Sequence, residues 1–134
     1  MKKMLNNPRN GTLKAGTTVT GIGYLLAQDG TNTLDLSAVT EVCIGVSADE
    51  SERDASGLVS GGTVSYYPLG GVLMVASKTG LTWALGDTVY VDASGLASKT
   101  VGSNKKLGLY VGSGETTSAD GDLIPVNTQG AAIA

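Results

Sequence analysis

Glycine interrupts this chain at 20 of its 134 positions, and no apolar run between the interruptions is long enough to carry an extended helix. Inside a helix each glycine costs about 1 kcal/mol relative to alanine, whereas in a turn it supplies positive φ angles that other residues resist. The segments between the glycines are short and rich in Val, Thr, Tyr and Ile, the composition of strands. Candidate strands run over 17–26, 40–47, 62–67, 71–76, 87–91, 106–112 and 121–127. They are separated by turn sequences such as Asp29-Gly30, Pro68-Leu69-Gly70-Gly71, Lys78-Thr79-Gly80, Ala93-Ser94-Gly95 and Ala119-Asp120-Gly121, in which Gly, Asp and Ser bend the backbone or bond to it locally.

This pattern predicts an all-β fold: a small Gly-rich β-barrel or β-sandwich with at most one short helix and an extended N-terminal arm. The helix candidate is 51–60, held to about two turns by Gly57 and Gly61-Gly62. In Asp87-Thr88-Val89-Tyr90-Val91 the valines share one face, which predicts a half-buried strand. Gly71-Val72-Leu73-Met74-Val75-Ala76 is apolar on both faces and is expected to be covered on both. A faint internal echo links Ala15-Gly16-Thr17-Thr18-Val19 to Leu85-Gly86-Asp87-Thr88-Val89, and Ile44-Gly45-Val46 to Leu107-Gly108-Leu109, as pseudo-symmetric halves would.

The length suits one domain, since domains commonly run to roughly 100 to 150 residues. Residues 1–14 lack periodicity and read as a flexible arm, 15–127 as a single β domain, and 128–134 as a C-terminal tail. The opening Met1-Lys2-Lys3-Met4-Leu5 is followed by Asn6, Asn7, Pro8, Arg9 and Asn10 where a signal peptide needs an apolar region. No segment approaches the roughly 18 apolar residues of a membrane-spanning helix, so neither a leader nor a membrane partner is expected. Cys43, the one cysteine, lies between Val42 and Ile44 and reads as a small buried hydrophobe.

Only 16% of the residues are charged, against an average of about 25%, which leaves a surface of Gly, Ser, Thr and Ala suited to close packing on neighbours. Net charge −3 gives no general attraction for phosphates, so nucleic acid is not an expected partner. The chain has no histidine, which removes the commonest general base and transition-metal ligand. Gly112-Ser113-Gly114 does not complete a nucleophile elbow. The acidic stretch Asp49-Glu50-Ser51-Glu52-Arg53-Asp54 lacks the spacing of a calcium loop. Asp87, Asp92, Asp120 and Asp122 adjoin turns and read as turn-capping groups. Lys78 resembles a carrier-domain lysine only in its hairpin position and reads as a solvated turn residue. No catalytic residue, metal site or cofactor is predicted. Tyr66, Tyr67, Tyr90, Tyr110 and Trp83 could form a sugar-stacking platform. A carbohydrate-binding β module on a virion or cell surface is therefore the alternative function, although Tyr66 and Tyr67 should point to opposite faces of a strand.

The elements follow one another as Ala15-Gly16 with Val19; Ile44-Gly45-Val46 and an acidic loop through Asp54, Ala55 and Gly57; Gly62 with Val64; Gly71-Val72 with Val75; Gly86-Asp87 with Val89-Tyr90; then Leu107-Gly108, Gly121-Asp122 and Val126. This order resembles the phage capsid decoration (cement) proteins of the DUF2190 type, over nearly the whole chain after the arm. The resemblance implies a non-catalytic structural protein, often oligomeric, that binds the outside of a bacteriophage head and stabilises the shell. It makes Gly16, Gly45, Gly71 and Gly86 fold determinants and marks no contact residue. The expected partner is the major capsid protein, met on the capsid exterior of the virion after synthesis in the host cytoplasm. A homo-oligomer is also expected, with a trimer suiting three-fold capsid positions. The arm is the leading contact, through Lys2, Lys3, Met4, Leu5, Asn6, Pro8 and Arg9, because an extended segment can order against a shell.

Overall fold

The computed structural model describes residues 7–131. Their strands are β1 (Arg9–Thr12), β2 (Leu25–Gln28), β3 (Leu34–Leu36), β4 (Gly45–Ser47), β5 (Arg53–Asp54), β6 (Gly57–Leu58), β7 (Thr63–Pro68), β8 (Val72–Ser77), β9 (Thr82–Trp83), β10 (Thr88–Val91), β11 (Ala97–Ser98), β12 (Lys106–Tyr110), β13 (Glu115–Thr116) and β14 (Asp122–Asn127). Single 3-10 turns at Ala93–Gly95 and Thr128–Gly130 are the helical content of the described residues. The fold is all-β, as the glycine spacing predicted.

Two larger sheets organise it. The first has the order β1-β7-β4-β2-β3, with every neighbour antiparallel. Its outer strands meet at one end, where Leu13 bridges Leu34 and the Lys14 N–H donates to the Leu34 carbonyl at 2.8 Å. The second is a closed barrel, β10-β11-β8-β14-β12. Its long pairing is β8 on β14, from Val72 opposite Asn127 to Ser77 opposite Asp122. Closure removes the exposed edges that an open sheet would offer to other strands.

The cores follow from strand alternation. Leu25 and Val46 point into the barrel cluster with Val75, Val89, Val91, Leu107, Tyr110, Ile124 and Val126. Leu26, one residue on, points the other way, to Leu13, Val19, Leu34 and Val64. Strand β2 is therefore buried on both faces and forms the wall between the two cores. Tyr66 and Tyr67 divide likewise between the two clusters. Trp83 and Tyr110 stack at 5.8 Å inside the barrel cluster, with the indole N–H donating to Ser77 Oγ at 3.1 Å. That pair fills volume that phenylalanine, absent from the chain, would otherwise supply.

Gly23 joins the two sheets. Its N–H donates to the Ser47 carbonyl at 2.9 Å, and its own carbonyl accepts from Ala76 N–H at 2.8 Å. A Cβ there would lie 2.9 Å from Ala76 N, and φ is +93°, so glycine alone satisfies both conditions. The internal echo appears as matched turns. Thr17 N–H donates to the Lys14 carbonyl and Asp87 N–H to the Ala84 carbonyl, both at 3.0 Å, with Gly16 at φ 91° and Gly86 at φ 92° in the third turn position.

Two expectations are corrected. Residues 51–60 are not helical; they form the β5–β6 hairpin. Its turn is set by the Asp54 carboxylate accepting from Ser56 N–H at 2.8 Å, while Glu52 is drawn away to Thr63 through its backbone N–H. Nor are residues 9–14 an arm. Arg9–Thr12 pairs with β7, and Leu13 is in the core.

Gly108 tests the dependence on close approach, since a Cβ there would stand 2.0 Å from the Asn127 carbonyl oxygen, whereas at Gly21 it would meet nothing within 4 Å. In thermal unfolding, Gly108→Ala should cost more than ~3 kcal/mol or prevent folding, and Gly21→Ala should change stability by less than ~0.5 kcal/mol.

Candidate interaction surface

The strand expected to be covered on both faces is covered on one. On β8, Leu73, Val75 and Ala76 are buried, yet Val72 is 53% and Met74 45% exposed. The barrel register extends this open face sideways. Asn127 lies between Val72 and Leu109, and Pro125 lies opposite Met74. Val111 N–H donates to the Pro125 carbonyl at 3.0 Å. Leu109 and Val111 are 42% and 37% exposed, and no charged side chain interrupts these two rows. Ile22, 49% exposed, adjoins Met74 across a cleft of about 370 Å³ that is also lined by Tyr67 and Ala48. Exposed, uncharged and largely apolar faces commonly mark interaction sites.

Covering the exposed part of each of these side chains contributes roughly 1 kcal/mol at 25 cal/mol per Å². The sum falls at the low end of the ~4–15 kcal/mol that association costs in lost freedom. The face therefore suits a wider interface or a repeated lattice in which many weak contacts add.

The carboxylates serve the turns. Asp87 accepts from Ala84 N–H at 2.8 Å, Asp120 from Thr79 N–H at 2.8 Å, and Asp122 from Ser118 and Ala119 N–H at 2.7 and 3.2 Å. Glu50 is paired with Arg53 at 2.7 Å and Lys78 with Asp92 at 3.7 Å. Among the described residues no cluster of three or more acidic or thiol groups is placed to hold a metal. Cys43 is buried and its thiol is pushed up to about 11 by that burial, which leaves it protonated at neutral pH.

Of the predicted contact residues, Lys2, Lys3, Met4, Leu5 and Asn6 lie outside the described residues. Pro8 is exposed just before β1, and Arg9 opens that strand opposite Tyr66. Gly45 lies under the Tyr66 ring, with a would-be Cβ 2.5 Å from Tyr66 Cδ2, while Gly71 sits in the turn into β8, its carbonyl accepting from Thr128 N–H at 2.8 Å. The tyrosines and Trp83 form no common platform, because Trp83 and Tyr110 are buried. The apolar face was missed in the sequence, although its signal was present: β8 carries apolar residues at every position from Val72 to Ala76.

No family model matches the chain, and no curated protein matches it in sequence. Among solved structures the fold is similar to that of the N base of head fiber gp8.5 in bacteriophage phi29, with 19% identity and a TM-score of 0.57. The likeness covers 96% of this chain and 99% of that one, so the two share one complete fold.

The electrostatics set the acid limit. Backbone N–H donors hold the Asp87 and Asp122 carboxyls below their usual range, and Arg53 does the same for Glu50. Partial burial opposes the shift at Asp92, but hydrogen bonds from Ala93 and Ser98 and the charge of Lys78 keep it low as well. Carboxyls depressed on folding contribute their full stability above the unfolded pKa of about 4 and lose it as pH falls through the folded values. With no histidine to titrate, the unfolding midpoint should stay level from about pH 5 to 8 and drop below about pH 4. Circular dichroism melts across that range check this, and a step near pH 6 would contradict it.

Proposed function

We propose that this chain is a structural protein of a tailed-phage head. It lodges on the outer surface of the shell, decorates and stabilises it, and acts without catalysis or a cofactor. The observation that carries this reading is the end-to-end likeness to a head fiber base. The order of short glycine and aliphatic elements, which resembles that of capsid decoration proteins, is in keeping with it, as is a described surface on which Asp87, Asp120 and Asp122 are engaged in turns.

In this reading the uncharged apolar face serves contact between copies, in a homotrimer. Val72, Met74, Leu109 and Val111 stand on a closed barrel with no free edge, so copies would meet side chain to side chain, without strand addition. The N-terminal end, with Lys2, Lys3 and Arg9, is left for the major capsid protein, where several basic groups suit an acidic lattice surface.

Purified protein should scatter light as a trimer and co-sediment with empty heads. Met74→Asp would place a carboxylate in a dry interface and should reduce the protein to a monomer, lowering head occupancy more than ten-fold through lost avidity. Removal of residues 1–6, which spares β1, should leave the trimer and abolish head binding. Failure of the wild type to bind heads would overturn the reading, and full occupancy by the Met74→Asp monomer would overturn the use of this face.

A further inference from the structure

The first sheet closes at only one end. Past the Leu13–Leu34 bridge its outer strands diverge, and a cleft of about 290 Å³ opens between β1 and the β2–β3 turn. None of the side chains lining it is charged. Asn10 and Thr12 stand on one wall, Gln28 and Asn32 on the other, and the Tyr66 ring lies at the base with Leu34 and Ile44.

This cleft is held in shape by its backbone. Tyr66 lies between two glycines on neighbouring strands, since a Cβ on Gly45 would be 2.5 Å from its Cδ2 and one on Gly11 would be 3.2 Å from its Cε1. The opposite wall is fixed by the turn in which Asp29 N–H donates to the Thr33 carbonyl at 2.9 Å, with Asn32 in the left-handed region at φ 61°. The side-chain amides of Asn10 and Asn32, the Thr12 hydroxyl and Tyr66 Oη find no hydrogen-bond partner among the described residues, so these side-chain donors and acceptors are available to a ligand. Gln28 and Ile44 also line an adjoining depression of about 470 Å³, together with Val42 and Glu41, which extends the cleft into a groove with one carboxylate at its far end.

We infer that this groove binds a neutral saccharide chain. Planar amides and hydroxyls in concert match the alternating donors and acceptors of sugar hydroxyls. The Tyr66 ring with Ile44 offers an apolar floor for the C–H face of a pyranose, and a lining with no cationic side chain and with Glu41 at the far end disfavours anionic ligands. This places sugar recognition on one tyrosine in the first sheet, away from Trp83. It is independent of head attachment, because binding is a property of the free protein.

Isotope-labelled protein titrated with maltotriose, cellotriose and tri-N-acetylchitotriose tests the assignment by amide chemical shifts. At least one sugar should move the amides of residues 10–12, 28, 32–34 and 66, with a dissociation constant on the order of 1 mM or tighter. Asn10→Ala, and Asn32→Gly, which keeps the left-handed backbone, should each weaken binding by about 3- to 10-fold with the rest of the spectrum unchanged. Tyr66→Phe, which retains the packing against both glycines, should do the same through loss of the hydroxyl. No shifts with any of the three sugars, or shifts located elsewhere, would overturn the assignment. So would equal shifts from an extended Thr-Val peptide, which would make the seam a strand-addition site.

Discussion

Gly23 lets two separately closing sheets become one body, because its backbone bonds to Ser47 on one side and to Ala76 on the other with no side chain between. The same device recurs where Gly108 crosses the Asn127 carbonyl and where Gly95 approaches the Leu25 carbonyl, with would-be Cβ distances of 2.0 and 2.9 Å. Each removes a side chain from a place where two backbones must meet, and so trades local chain entropy for a short distance between elements. The surface follows from this. Strands this short cannot bury much apolar area by length, so they are stacked closely, and β2 is shared by both cores.

Close stacking also explains why apolar side chains are left outside. A small barrel has room inside for one row from each strand, and Leu73, Val75, Ile124 and Val126 fill it together with the Trp83–Tyr110 stack. The alternate row of β8 has to face outward, and Val72 and Met74 are apolar there without need for the monomer's own folding. Partner surface covering that row would gain what the interior cannot, and the lack of nearby charge lowers the desolvation cost of doing so.

Legibility in the sequence depended on whether a strand carries its own pattern. The segments at 63–68, 72–77, 88–91, 106–110 and 122–127 alternate or are continuously apolar, and each was predicted within a residue or two. Residues 17–24 looked equally β-prone yet form no ladder strand, because Gly21 and Gly23 break the run and its groups bond instead to Ser51, Ser47 and Ala76. Strand β1 had the opposite fate. Arg-Asn-Gly-Thr has no apolar signal, and it is a strand because β7 offers it an edge and Gly11 leaves space for Leu34 and Tyr66. Neither outcome can be read locally, since both are decided by partners distant in sequence.

The two candidate surfaces were hidden for different reasons, and the difference bears on what each can do. The apolar face could have been found from β8 alone once its strand was known to lie in a closed barrel, since every second residue must then point out. The polar groove has no such signal, because Asn10, Asn32 and Tyr66 come together only through the failure of β1 and β3 to close along their full length. A face made by one strand's surplus is broad and tolerant of partners of similar shape, whereas a seam set by glycines and a fixed turn is narrow and presents its polar atoms at defined positions. In the proposed roles, contact between copies and saccharide binding would call on separate sheets, and a change in one could leave the other intact so long as Gly23 keeps them joined.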